Sequence, residues 1–224
     1  MTRVHADAAK RRPQGVKAGL SLSDILSAAS SIAPEDLTMQ AVANRLGVDR
    51  KAVNHHVSDR ETLLRLVASE AFARSFATVT IPAESDWREA SRIYGYGIAA
   101  AVAALGSLAG HVRVSRSTDA LLLAATEAVL AKLVEAGFDL ETGMRAVAML
   151  SDICDTYGQG VALTTTGGAG MRDQWLHEVL RELPEENPRY LSEAARSWTN
   201  TYDARQLDVS IEIFVRGLEG LAPA

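Results

Sequence analysis

The chain has a single cysteine, Cys154, among its 224 residues, so no disulfide can form within it and the fold must rest on packed apolar surface. Only 5% of residues are aromatic, but 47% are hydrophobic, enough for one sizeable core or two unequal domains. The N-terminus, MTRVHADAAKRRPQGVKAG, lacks the apolar run of a secretory signal; with one cysteine, this leads us to expect a protein of the reducing cytoplasm. The uncharged stretch from Ile93 to Gly110 approaches membrane-span length, but glycines and small residues dilute it. A buried helix is expected there, and no membrane partner. Alternating β-branched runs are missing, which argues against a sheet. Also missing are a nucleophile elbow, an HExxH pair and a phosphate-cradling glycine loop followed by Lys-Ser/Thr, so no enzyme class is indicated.

What recurs instead is apolar spacing of three and four residues, which predicts an all-α fold. In LSLSDILSAASSI, Ser21 is placed as an N-cap with Asp24 three residues on, and each side chain can satisfy an orphan amide of the first turn. Pro34 ends that segment. Thr38 is expected to cap a helix over Met39–Leu46, and Gly47 to stop it by taking a left-handed conformation. Asp49 can cap a third helix running to about His56. A long fourth helix, DRETLLRLVASEAFARSFATV, follows, with Leu63, Leu66, Val67, Ala71 and Phe72 on one side. Pro82 then marks a break, and Ser85 or Asp86 can cap the next helix. Further helices are expected at about 86–105, 118–136, 139–164, 171–183, 188–198 and 204–221. Gly137 closes KLVEAGF, and TTTGGAGMRD over 164–173 reads as an internal loop.

Charge divides the chain unequally. Residues 1–74 hold 11 Lys/Arg against 8 Asp/Glu, and residues 75–224 hold 12 against 20, which makes the overall net charge −5. A basic N-terminal piece on an acidic remainder suits a chain of which only the first part meets a polyanion. Within it, MQAVANRLGVDRKAVNHHV has the spacing of a helix-turn-helix: Ala43 permits close helix approach, Gly47 turns, and Val53 returns an apolar contact. Val53 and Val57 facing inward leave Arg50, Lys51, Asn54 and His55 outward. Arg and Lys can donate to guanine, and Asn can pair with adenine in the major groove. His55, His56 and Arg60 suit phosphate. The same spacing occurs in helical hairpins that never meet DNA, so the residues alone leave both readings open. Adjacent histidines point in different directions on a helix and no ligand partner accompanies them, so no metal is expected.

The stretch LTMQAVANRLGVDRKAVNHHVSDRETLLRLV resembles the DNA-binding module of TetR-family transcriptional regulators. The shared pattern is a Leu-Thr opening, Ala-x-x-x-Gly-Val, a short recognition helix, then a basic residue and leucine opening helix four. The match spans residues 21–67. The resemblance implies base-edge positions for Gln40, Arg50, Lys51, Ala52 and Asn54, and backbone positions for Thr38, His55, His56 and Arg60. Many members carry Tyr in place of Asn54 and Phe in place of Val57, so an altered operator preference is expected. The implied organisation is a basic arm over 1–20, a helix-turn-helix domain over 21–66, and a helical effector-binding and dimerisation domain over 67–224.

In the larger part, the helix at 139–164 has a stripe of Leu140, Met144, Val147, Ser151, Cys154, Gly158 and Val161, and the last helix one of Leu207, Ile211, Phe214, Leu218 and Leu221. Such seams either pack within one chain or build a four-helix bundle between two. TetR-family regulators dimerise through their eighth and last helices, so the resemblance implies a homodimer interface of Met144, Val147, Ser151, Cys154, Gly158, Leu207, Ile211, Phe214 and Leu218. This part also resembles the effector domain of the tetracycline-responsive branch, including Trp87 and the turn at Gly137–Leu140. Asp152 stands for a pocket histidine there, Tyr94 for an asparagine and Ile98 for a phenylalanine. The magnesium-binding histidine is matched by Val112, beside His111, so the metal-tetracycline mode is not carried over and no cofactor is expected. A mostly apolar pocket of Tyr94, Ile98, His111, Ser115, Met144, Met149 and Asp152 is expected, for a hydrophobic or polycyclic effector with a polar group.

The function these features imply is a ligand-responsive regulator, a repressor that binds a palindromic operator in double-stranded DNA as a dimer and is released by its effector. The competing classes are a helical small-molecule-binding protein with a vestigial helix-turn-helix, and an enzyme of unrecognised motif using His111 and Asp152.

Overall fold

The structure, a computed structural model, describes residues 19–112, 116–165, 178–182, 188–197 and 203–222. All its regular elements among these are helical. Four helices form the N-terminal part: α1 (Leu22–Ala29), α2 (Met39–Leu46), α3 (Arg50–Asn54) and α4 (Arg60–Phe76). Each begins on a side-chain cap. Ser21 and Asp24 form the reciprocal box: the Asp24 amide donates to Ser21 Oγ at 3.1 Å, and the Ser21 amide donates to Asp24 Oδ2 at 3.0 Å. Thr38, Asp49 and Asp59 accept from the first turns of α2, α3 and α4. These contacts satisfy amides that have no partner within their own helices. Ile25, Ala29, Val42, Ala43, Val53 and Leu63 are fully buried and make the small core.

The seventeen-residue α4 leaves this head and enters the body, where its Phe72 and Phe76 rings stack 5.5 Å apart. The body is built around α5 (Trp87–Ala103), flanked by α6 (Arg116–Glu135), α7 (Leu140–Thr165) and, after α8 (Arg189–Ser197), by α9 (Ala204–Glu219). A 3-10 turn over Gly106–His111 packs against α4 and α7. The sequence pattern does not anticipate this turn.

Helices α5 and α7 run parallel, because Gly95 lies against Leu150 and Cys154 while Gly158 lies against Ala99 and Val102. A Cβ on Gly158 would sit 2.8 Å from the Ala99 carbonyl oxygen, so only hydrogen there lets the backbones come this close. In contrast, α9 runs antiparallel to α5, joined by Arg88–Glu219, Arg92–Glu212 and Tyr96–Asp208 at 2.5, 3.0 and 2.6 Å. The Asp208 hydrogen bond pushes the Tyr96 phenol up to about 12.

This packing places most residues of the expected dimer seam within one chain. Val147, Cys154 and Gly158 are buried against α5 in the same chain, and Ser151 bonds to Tyr94 of that helix. Leu207, Ile211, Phe214 and Leu218 are likewise buried within the chain. The four-three spacing marks a buried face, and on α7 it is α5 that covers it. Of the expected interface residues only Met144 is substantially exposed, at 46%.

Candidate DNA interface and effector cavity

The turn between α2 and α3 is held by Gly47 at φ +66°, in the left-handed region where a Cβ is strained. The Val48 amide then donates to the Ala43 carbonyl at 3.1 Å, closing the end of α2. Val53 and Val57 lie inward, 0% and 1% exposed. That fixes the rotation of α3, and Arg50, Lys51, Asn54, His55 and His56 all come out on the exposed side, with Ala52 partly covered. Helix α3 ends at Asn54, two residues earlier than its sequence suggests, and His55 serves as its C-cap. Gln40 is exposed on α2 and donates to Asn44 Oδ1 at 2.8 Å. Thr38 is the α2 cap, accepting from the Ala41 amide at 3.0 Å.

Arg60, expected near the phosphate backbone, is exposed and bonded within the head. Its Nε donates to the Leu37 carbonyl at 2.7 Å and its Nη2 to the Pro34 carbonyl at 3.1 Å. Those donors are committed within the protein. The basic arm lies outside the described residues, as does Ser115.

The expected pocket residues separate into two groups. Tyr94 and Ile98 are buried on α5, and the Tyr94 hydroxyl lies 3.0 Å from Thr126 Oγ1 and 3.2 Å from Ser151 Oγ. Met144, Met149 and Asp152 fall on the outer side of α7 instead, Met149 being 57% exposed. A helix that turns its glycine and cysteine stripe to α5 must turn Met149 and Asp152 away. His111 lies at the end of the 3-10 turn with Nδ1 3.3 Å from Glu61 Oε1 on α4.

Among the described residues, a cavity of about 200 Å³ is lined by Phe76, Ala77, Val79, Thr80, Ile81, Ala124, Ala125 and Ala128. It lies between the end of α4 with its following segment and the alanine face of α6. Phe76 meets the edge of Tyr94 at 6.1 Å, which puts the buried hydroxyl cluster one ring away. None of the cavity residues was singled out from sequence; the only signal was the run of small residues in AATEA at 124–128. Val79 is seated against α5 where Gly97 leaves room, since a Cβ there would lie 2.5 Å from Val79 Cγ2. Among the described residues no cluster of His, Cys, Asp and Glu could hold a metal, and no helix is long and apolar enough to cross a membrane.

No family model matches the sequence, and no curated protein matches it. Solved structures do. A possible TetR-family regulator from Streptomyces coelicolor A3(2) is 18% identical, with a TM-score of 0.69 over 89% of this chain and 98% of its own. ActR of Streptomyces coelicolor, solved in complex with actinorhodin, is 22% identical, with a TM-score of 0.70 over 92% of this chain and 100% of its own. A TetR variant from Acinetobacter baumannii AYE, in complex with minocycline, is 16% identical, with a TM-score of 0.61 over 92% and 96%. A helix-turn-helix head carried by one long helix on an α-helical body is the fold of TetR-family transcriptional regulators, and this chain has that fold.

Proposed function

We propose that the protein is a ligand-responsive transcriptional regulator of the TetR type, acting in the cytoplasm as a repressor that binds a palindromic operator as a homodimer. The observation that carries this reading is α3: a helix locked by Gly47, Val53 and Val57 that presents Arg50, Lys51 and Asn54 together on one exposed side. Asn54 reads adenine, Arg50 and Lys51 read guanine or neighbouring phosphate, and His55 and His56 flank the backbone. Two copies on a two-fold axis present two such helices to half-sites about one DNA turn apart, ~34–36 Å. The surface proposed to join them is the outward side of α7 and α9, where Met149, Val209, Ile213 and Leu221 are 57%, 45%, 67% and 67% exposed.

The effector is a hydrophobic or polycyclic small molecule, as actinorhodin and minocycline complexes of similar folds suggest. The cavity of about 200 Å³ is smaller than the ~300–1,000 Å³ common for ligand sites. A drug-sized ligand entering there has to displace the segment 77–81, which directly follows α4. Moving that segment tilts the helix that carries the head and shifts the spacing of the recognition helices, so DNA affinity falls. Linkage demands that operator DNA weaken effector binding by the same factor.

Selection of bound sequences from random double-stranded DNA, followed by a salt titration, tests the reading. The expected result is a palindrome whose affinity falls steeply with salt as counterions are released. Asn54→Ala is expected to lose discrimination at one base position, by about 1–3 kcal/mol. A folded protein that enriches nothing at low salt would remove the DNA-binding reading.

A further inference from the structure

Two neighbouring side chains at the start of α4 hold different parts of the molecule. Arg60 grips the α1–α2 connection through the Leu37 and Pro34 carbonyls, immediately before the Thr38 cap of α2. Glu61 lies 3.3 Å from His111, the last residue of the 3-10 turn in the body. A guanidinium forked onto two carbonyls is geometrically specific, since it fixes both the distance and the plane of the segments it joins. Helix α2 packs against α3, so whatever fixes α4 to the start of α2 also fixes the recognition helix.

We infer that Arg60 and Glu61 form a brace that sets the angle between head and body, with Arg60 a positioning residue for the recognition helix and not a DNA contact. The inference rests on the DNA-binding reading above. Arg60 ties the first turn of α4 to the head, and Glu61 with His111 ties the same turn to the body. A tilt of α4 then carries α2 and α3 with it as one piece, and the His111 contact limits how far that tilt goes in the free protein. In a two-fold assembly the head angle determines which half-site spacing both recognition helices can reach together.

The experiment uses the purified full-length protein on its selected palindrome, with thermal unfolding confirming that each variant is folded. Arg60→Ala is expected to lower affinity at least about threefold while the slope of log affinity against log salt stays at the wild-type value. Arg60→Lys is expected not to restore it, because an ammonium cannot reproduce the fork. A slope reduced by about one in Arg60→Ala, with Lys restoring affinity, marks a phosphate contact and overturns the positioning role. For the other half of the brace, His111→Ala, Glu61→Ala and the double variant are titrated on the palindrome and on versions with one base pair added or removed between half-sites. The expected result is a loss of spacing discrimination of about threefold in each single variant, with no further loss in the double. Half-site sequence preference should stay unchanged. Wild-type spacing discrimination in all three overturns the brace alone. A wild-type chain that enriches no sequence overturns the DNA-binding reading and the brace with it.

Discussion

Head and body are both helical, yet they are specified by different means. In the head, every helix from α1 to α4 starts on a capping side chain, and the central turn rests on one left-handed glycine. Those devices act within three or four residues of themselves. The body has such caps as well, at Asp86, Asp139 and Asp203, but adds notches to them: Gly95, Gly97, Gly143 and Gly158 each leave room for a side chain from elsewhere in the chain. A surface proposed to match DNA gains from rigid local geometry, whereas a chamber proposed to admit a ligand gains from contacts that can separate and close again. The two regions also differ in what can be seen of them. No Trp or Tyr precedes Trp87, so tryptophan fluorescence reports the body alone while far-UV ellipticity reports both.

That optical difference gives a way to break the comparison. Leu63 is fully buried in the head core, and Leu63→Ala should cost about 2–5 kcal/mol. In urea the ellipticity of this variant is expected to show a first phase before tryptophan fluorescence changes; coincident transitions would mean that α4 makes head and body one cooperative unit. Gly158→Ala should act on the body, because its new Cβ meets Val102 at 2.7 Å and the Ala99 carbonyl oxygen at 2.8 Å. Overpacking of about 1–3 kcal/mol is partly offset by ~1 kcal/mol of helix propensity. The fluorescence midpoint should fall while operator affinity per folded molecule holds. Gly47→Ala strains the left-handed turn by about 1 kcal/mol, and operator binding should weaken with little change in fluorescence stability.

The smallest effect is acid sensitivity. Hydrogen bonds from the Ser58 hydroxyl and the Thr62 amide hold the Asp59 carboxyl down to about 2, from an ordinary 3.8. Asp24 is lowered by its box with Ser21. A depressed carboxylate contributes stability that is fully present above its unfolded value and is lost as pH falls through the folded one. Asp139 and Glu212 lower the body's acid tolerance in the same way, so between about pH 4 and pH 2 both parts should lose some stability, and Asp59→Ala should flatten the loss of ellipticity while leaving that of fluorescence unchanged.

The contrast explains what could be read from sequence. Caps at Ser21, Thr38, Asp49 and Asp86 and the turn at Gly47 announce themselves by residue type, and Val53 with Val57 fixes which donors of α3 face outward. Arg60 was not legible, since its acceptors lie 23 and 26 residues away and basic character alone suits either phosphate or carbonyl. Periodicity on α7 and α9 indicates that a face is buried, but not whether α5 or a second chain buries it. The same ambiguity misplaced Met149 and Asp152, which lie a half-turn from the stripe that meets α5. The cavity lies where residues 76–81 cross the α6 alanines, a juxtaposition of segments too distant in sequence for any spacing rule.

Cys154 is 0% exposed, and burial pushes its thiol up to about 12. A thiol so protonated and enclosed is a poor nucleophile, so maleimide or methanethiosulfonate probes should pass over the native protein. The chain is in effect a cysteine-free background that needs no mutation of its core. A single Glu35→Cys change, on the exposed loop between α1 and α2, would put one spectroscopic label on each head. In the proposed homodimer, paired-label distance measurements on that variant could then follow the separation of the two heads directly, with and without DNA.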